Sequence, residues 1–202
     1  MAEIKYLESA AKLSGEMVRL FEDEKAGGFF LNGLDAETLI VRPKEIYDGA
    51  IPSGNSVAAL NLARLARMTG DYSWQQKAER IFKNFSAVLS ERPSGYCCAM
   101  SALDFTLGPG QEIIIASTER GAEFRTWTDV IHKNFIPRKI ILARVGNEDS
   151  KTADGLVKLA PFVLEQRPVK NNVTAYICEN QVCQLPVTDL KEFKKIFNNP
   201  LG

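Results

Sequence analysis

Ile4, Leu7, Ala11, Ser14, Val18 and Phe21 recur at steps of three and four, the spacing that turns one helix face toward a core. The pattern predicts a helix over 2–24 that stops at Gly27-Gly28. Segment 29–42 reads as loop or irregular strand, with short β-rich pieces at Phe29-Phe30 and Leu39-Ile40-Val41. After Pro52-Ser53-Gly54-Asn55-Ser56 come Val57, Ala58, Ala59, Leu60, Leu62, Ala63, Leu65 and Ala66, interrupted only by Asn61, Arg64 and Arg67. A helix apolar on nearly every side is expected to be buried on nearly every side. Thr69-Gly70 ends it, and Asp71 is placed to cap the next helix. The core face of that next helix is Trp74, Ala78, Ile81, Phe82, Phe85, Val88 and Leu89. Pro93 and Gly95 then break the chain before a short apolar helix over 96–107. Four helices on short or moderate loops predict hairpins packed helix on helix.

From Gln111 the period changes. Glu112-Ile113-Ile114-Ile115-Ala116 and Lys139-Ile140-Ile141-Leu142-Ala143 are short branched runs, as in strands covered on both faces. A helix over 122–134, with Phe124, Trp127, Val130 and Ile131 inward, separates them. A second helix over 155–164 leads to a third strand at 173–178. This β-α-β-α-β order predicts a small parallel sheet with right-handed crossovers. Asp189 and Glu192 have capping-box spacing for a last helix docked by Phe193, Ile196 and Phe197. The expected fold is therefore α+β: helical hairpins over 1–110, then a parallel βαβαβ layer with a C-terminal helix over 111–202. Gly108-Pro109-Gly110 marks the boundary. The all-round apolar second helix also suggests neighbours that the chain does not supply.

Composition narrows the classes. The 202 residues are 45% hydrophobic and 25% charged, ordinary for a folded domain. Lysine plus arginine equals aspartate plus glutamate at 25 each, so charge gives no reason to expect nucleic acid or an anionic membrane as partner. No apolar run approaches the ~20 residues of a membrane span, and Met1-Ala2-Glu3-Ile4-Lys5 does not open a secretory signal. Four cysteines are too few for a disulfide scaffold. These features predict a soluble, cytoplasmic protein.

Several segments carry a resemblance together: Gly27-Gly28-Phe29-Phe30, Leu39-Ile40-Val41-Arg42-Pro43-Lys44, Asp48-Gly49-Ala50-Ile51-Pro52-Ser53-Gly54-Asn55-Ser56, and Ala175-Tyr176-Ile177-Cys178-Glu179-Asn180 with Cys183, Pro186 and Val187. In order and content they resemble the C-terminal portion of the spermatogenesis-associated protein 20 family. That family joins an N-terminal thioredoxin-like domain to an (α/α) toroid similar to six-hairpin glycosidases and sugar 2-epimerases. The resemblance implies that the helical hairpins are part of such a toroid. It also implies partners: the family's thioredoxin-like and earlier toroid regions, which have no counterpart here, on the same or a separate chain. Leu31-Asn32-Gly33 departs from the polar, aspartate-containing stretch that often follows Gly-Gly-Phe-Phe in relatives.

In the resembling toroids, the ends of the inner helices surround a sugar-binding cavity. Arg42, Lys44, Asp48, Ser53 and Asn55, gathered before the apolar helix, offer the cation, carboxylate, hydroxyl and amide that hydrogen-bond a polyol. A structural alternative stands beside that reading, because Ser53 and Asn55 are preferred helix caps and Asp48 can close an Asx turn. Glycoside hydrolysis needs two carboxyl groups, and Asp48 has only Asp104 as a weak companion. The single histidine, His132, lies on the helix between the first two strands, where a surface position is the expectation. No enzymatic reaction is assigned. Cys178 and Cys183 flank a turn at Asn180 and would face each other across a hairpin, either as a redox-active disulfide or as inert packing. Cys97-Cys98 point in different directions and read as core residues. Zinc spacing, a phosphate loop and a dinucleotide fingerprint are all missing, so no metal or cofactor is expected. Three readings stay open: a polyol- or glycan-binding cavity, a thiol-redox accessory region, and a structural layer of a larger polypeptide.

Overall fold

In the computed structural model, which describes residues 3–37, 40–146, 151–179 and 182–198, the three-and-four spacing near the N-terminus becomes helix α1 (Ile4–Phe21). Every residue of the expected face is buried or half-buried, Leu7 and Ser14 most fully. The helix ends where Glu22 bridges to Phe29 and the Asp23 carboxylate accepts from the Lys25 and Ala26 amides. Gly27 turns the chain with φ +84°, and a β-carbon there would lie 2.8 Å from the Arg80 carbonyl oxygen, so only glycine fits. Phe29 forms a single bridge and not a strand with Phe30. Ile40 and Val41 carry no strand, and Leu39 lies outside the described residues.

Helix α2 (Gly54–Thr69) is capped by Ser53, whose hydroxyl accepts from the Ser56 amide at 3.1 Å. It stops at Gly70, φ +76°. Ala58, Ala59, Leu62, Ala63, Leu65 and Ala66 are all buried within the chain. The exposed stripe is Gly54, Val57, Asn61 and Arg64, which contains one large apolar side chain. The expectation that α2 needs outside neighbours is thereby corrected: these apolar residues are buried by the chain itself.

Asp71 caps α3 (Tyr72–Asn84) by accepting from the Ser73 amide at 2.9 Å. The single helix expected through Leu89 breaks at Phe85 (φ −105°, ψ 11°), and α4 (Ser86–Glu91) follows with Ser86 Oγ donating to the Lys83 carbonyl. A 3-10 turn (Pro93–Gly95) leads to α5 (Cys97–Leu107), which buries Ala99, Ala102 and Phe105. Arg67 closes the far end of α5, donating to the Phe105 and Gly108 carbonyls and lying 4.5 Å from the Phe105 ring centre.

The second part of the chain builds one sheet from β1 (Gln111–Ser117), β2 (Lys139–Val145), β3 (Thr174–Glu179) and β4 (Val182–Cys183), in the order β2-β1-β3-β4. Helix α6 (Ala122–Lys133) joins β1 to β2, which run parallel. The expected all-parallel layer is wrong beyond that unit, for β3 lies antiparallel to β1 and β4 antiparallel to β3. Val145 and Thr174 sit at the same end of β1, so segment 146–173 needs no return along the sheet. Its helix α7 (Lys151–Leu159) stops before Pro161 instead of running through it, and 3-10 turns (Pro161–Glu165, Val169–Asn171) complete the connection. Nine helical residues rise about 13 Å, short of the ~23 Å of a seven-residue strand.

Ile113, Ile115, Ala175 and Ile177 pack on one sheet face against Phe124, Trp127 and Ile131 of α6. Helix α8 (Leu190–Asn198) adds Phe193, fully buried with its ring centre 4.7 Å from that of Trp127, and Asp189 caps it by accepting from the Glu192 amide. On the other face, buried Arg144 donates to the carbonyls of Val163 and Gln166, tying down the turn after α7.

Chain contacts define two compact units: Glu8–Arg67 with Asp71–Gly108, mainly helical, and Met1–Leu7, Met68–Gly70 and Pro109–Gly202, which carries the sheet. No helix among the described residues is long and apolar enough to cross a membrane.

Candidate functional site

The loop before α2 and the first turn of α2 gather four of the five polyol candidates, and each directs its polar atoms back into the chain. Asn55 is 2% exposed. Its Oδ1 accepts from the Phe29 amide at 2.7 Å, while Nδ2 donates to the carbonyls of Phe29 (2.9 Å) and Glu45 (2.8 Å). The side chain thus stands in for a neighbouring strand, satisfying both backbone groups of buried Phe29. Ser53 is buried too, and beyond capping α2 its Oγ lies 2.9 Å from Ser56 Oγ. Ser56 in turn donates to the Ile46 carbonyl.

Asp48 joins two helix starts. Its Oδ1 accepts from the Ser53 amide at 2.9 Å, and Oδ2 accepts from the Cys98 (2.9 Å) and Ala99 (3.1 Å) amides in the first turn of α5. Tyr96, the residue preceding α5, supplies no side-chain cap, so a carboxylate 50 residues upstream does that work. Burial, with the Asp48 charge second, pushes the Cys98 thiol pKa up, which keeps it protonated.

Lys44 Nζ donates to Asp23 Oδ2 (2.8 Å), the Gly27 carbonyl (3.0 Å) and Asn84 Oδ1 (3.4 Å), filling its three donor positions. The Lys44 hydrogen bond, backed by the Ala26 and Lys25 amides, holds the Asp23 carboxyl down at about 2. Sequence reasoning missed Asp23; its signal was an acidic residue just ahead of a Gly-Gly turn. Arg42 stands apart from the others. Its guanidinium lies 4.1 Å from the Phe30 ring centre, and Nη2 donates to the Asn32 carbonyl at 2.6 Å. Its Nε is buried without a hydrogen-bond partner.

Around this loop the apolar residues behave differently. Leu31, Leu34, Val41 and Tyr47 are more than half exposed, Ile51 is 81% exposed and Ile40 fully so. A cavity of about 430 Å³ opens elsewhere, between α6 and α8, lined by Thr126, Asp129, Val130, Lys133, Asn134 and Lys194. It contains none of the candidates. His132 is exposed on α6 and Asp104 is exposed on α5.

Cys178 and Cys183 are disulfide-bonded and directly opposed across β3 and β4, their Cα atoms 3.8 Å apart. The turn at Asn180 lies outside the described residues. Cys178 is buried between β1 and β4, whereas Cys183 is half-buried on the outermost strand. Cys97 and Cys98 are free; Cys97 is exposed, against the expectation of a core position, because it opens α5 on the solvent side.

No family model matches the chain. Over 197 residues, 97% of its length, it is 31% identical to spermatogenesis-associated protein 20 of Homo sapiens and 32% identical to that of Rattus norvegicus. It is also 23% identical over 171 residues to an uncharacterized protein of Caenorhabditis elegans. The chain spans about a quarter of the length of these relatives, 25% of the human protein. The match bears out the resemblance read from the motifs and is consistent with a C-terminal part of that family.

Proposed function

We propose, for a chain that matches the spermatogenesis-associated protein 20 family along nearly its whole length, that it is a structural layer of a larger assembly. In this reading the helices from α1 to α5 form part of an (α/α) toroid, and residues 31–37 and 40–51 are its docking edge. The observation that carries the reading is the division of labour along that loop. Lys44 and Asp48 on it bond to backbone within the chain, while Ile40, Tyr47 and Ile51 stand in solvent. A row of exposed large apolar side chains on one segment marks a surface that association covers. The partner is the remaining toroid region of the same family, on the same or a separate chain. A polyol at this loop would have to displace the contacts of Asp48, Ser53 and Asn55, so the scaffold reading is preferred to a sugar cavity.

The test uses the 202-residue chain alone. Ile40→Lys with Ile51→Lys should abolish binding of an apolar dye and any self-association in sedimentation, and leave the melting temperature unchanged. A chain that binds no dye and sediments as a monomer before any substitution would overturn the reading.

A second reading, thiol exchange at Cys178 and Cys183, is favoured by the bond between them and by the half-buried position of the outer cysteine.

A further inference from the structure

The two bonded cysteines are unequal in access. Cys183, Cys178 and Glu112 form one row across β4, β3 and β1, with Cys178 and Glu112 each 1% exposed. Burial of its sheet face shields Cys178 from attack by a thiol in solvent. Cys183 ends the row on the outermost strand, half-buried and so within reach of solvent.

The bond is also redundant as a staple. Gln184 N donates to the Ile177 carbonyl at 2.9 Å, and Ala175 and Val187 exchange two further backbone bonds of 2.9 Å. Buried Phe193, stacked on Trp127, holds the chain beyond them. A crosslink five residues apart in sequence closes a short loop and so constrains the unfolded chain less than a long one would. The segment therefore stays docked when the bond opens.

We propose that Cys178–Cys183 is a directional exchange site whose reaction partner is a dithiol; this rests on the thiol-exchange reading above. A thiolate of the dithiol attacks Cys183 Sγ, the Cys178–Cys183 bond breaks, and Cys178 leaves as thiolate and takes up a proton. The second thiolate of the reagent then attacks its own bound sulfur and releases Cys183 as the other thiol. The chain gains two electrons and two protons, and the dithiol loses the same and closes its own disulfide. A monothiol cannot make the second step within one molecule. Cys178, held opposite Cys183 by the sheet, returns to Cys183 and expels the monothiol. The site thus discriminates dithiols from monothiols through the buried cysteine.

The experiment treats the folded full chain with millimolar dithiothreitol or with glutathione at equal thiol concentration, quenches by alkylation and maps each cysteine by peptide mass. Circular dichroism monitors the fold throughout. Dithiothreitol should open the bond within minutes with the fold retained, and glutathione should open at least about tenfold less. With oxidised glutathione, Cys178→Ser should accumulate an adduct on Cys183, while Cys183→Ser should leave Cys178 unmodified. If dithiothreitol opens the bond only when the chain unfolds, the exchange reading itself falls. If it opens the bond but glutathione does so equally well, or Cys178 in Cys183→Ser is modified as readily, exchange stands and the directional dithiol inference falls. Should either variant fail to fold, rapid quenching of wild type with glutathione decides the matter, since the transient adduct must sit on Cys183 and an adduct on Cys178 would refute it.

Discussion

Replacing Asn55 by alanine removes the three hydrogen bonds that hold Phe29 and Glu45 to the start of α2. Phe29 is 5% exposed, so its amide and carbonyl are left buried and unmatched, each at a cost of about 1–3 kcal/mol. Glu45 is exposed and its carbonyl can take water in exchange, which adds little. The expected loss is therefore about 2–6 kcal/mol, a large fraction of a domain's stability. Asn55→Asp isolates the geometry: one oxygen still accepts from the Phe29 amide, but the other now faces the two carbonyls that Nδ2 had supplied. That variant should be destabilised at neutral pH and partly recover as acid protonates it. Urea unfolding followed by circular dichroism measures both, with amide exchange at Phe29 as a local reporter. A change below about 0.5 kcal/mol in Asn55→Ala, the range of ordinary surface substitutions, would mean that these bonds do not hold the loop. The residue would then be available to a ligand.

Asp48→Ala removes the side-chain cap at the start of α5 together with the Ser53 contact, and should lower stability by about 2 kcal/mol. Asp48→Asn keeps one acceptor and should lose less, as thermal melts of the two variants will show. Asp23 gives a pH signature. Its carboxyl is held near 2 in the folded chain, below the ordinary 3.8, so the unfolded chain takes up the proton first. The contribution is fully present above about pH 4 and disappears as pH falls through 2. Lys44→Met should thus be less stable than wild type at neutral pH, and the gap should narrow in strong acid to what the Gly27 and Asn84 bonds leave; a gap that does not narrow below pH 2 would show that the ion pair contributes nothing to it.

Much of the fold was legible because burial leaves a period. The face of α1, the extents of α2 and α5, and the first three strands all follow from apolar spacing that local sequence carries. The direction of β3 did not, since an apolar strand reads alike whether its neighbour runs parallel or antiparallel. What decides it is the connection, and Pro161 was the sign that α7 would end too early to return along the sheet. The two-residue β4 is too short to show any period. At the loop, the residue types at 42–55 were visible but their partners were not. Phe29 lies 26 positions before Asn55, and the amides of Cys98 and Ala99 some 50 after Asp48. Nothing local says whether a polar atom faces a ligand or a distant backbone. In α2 the opposite error arose: apolar residues all round do show burial, but not whose residues provide it.

The most direct measurement is hydroxyl-radical labelling of the 202-residue chain and of the full-length human relative, compared at Ile40, Val41, Tyr47 and Ile51 and their aligned positions. The docking-edge account expects strong labelling in the chain alone and protection in the longer protein. Equal, strong labelling in both would contradict it.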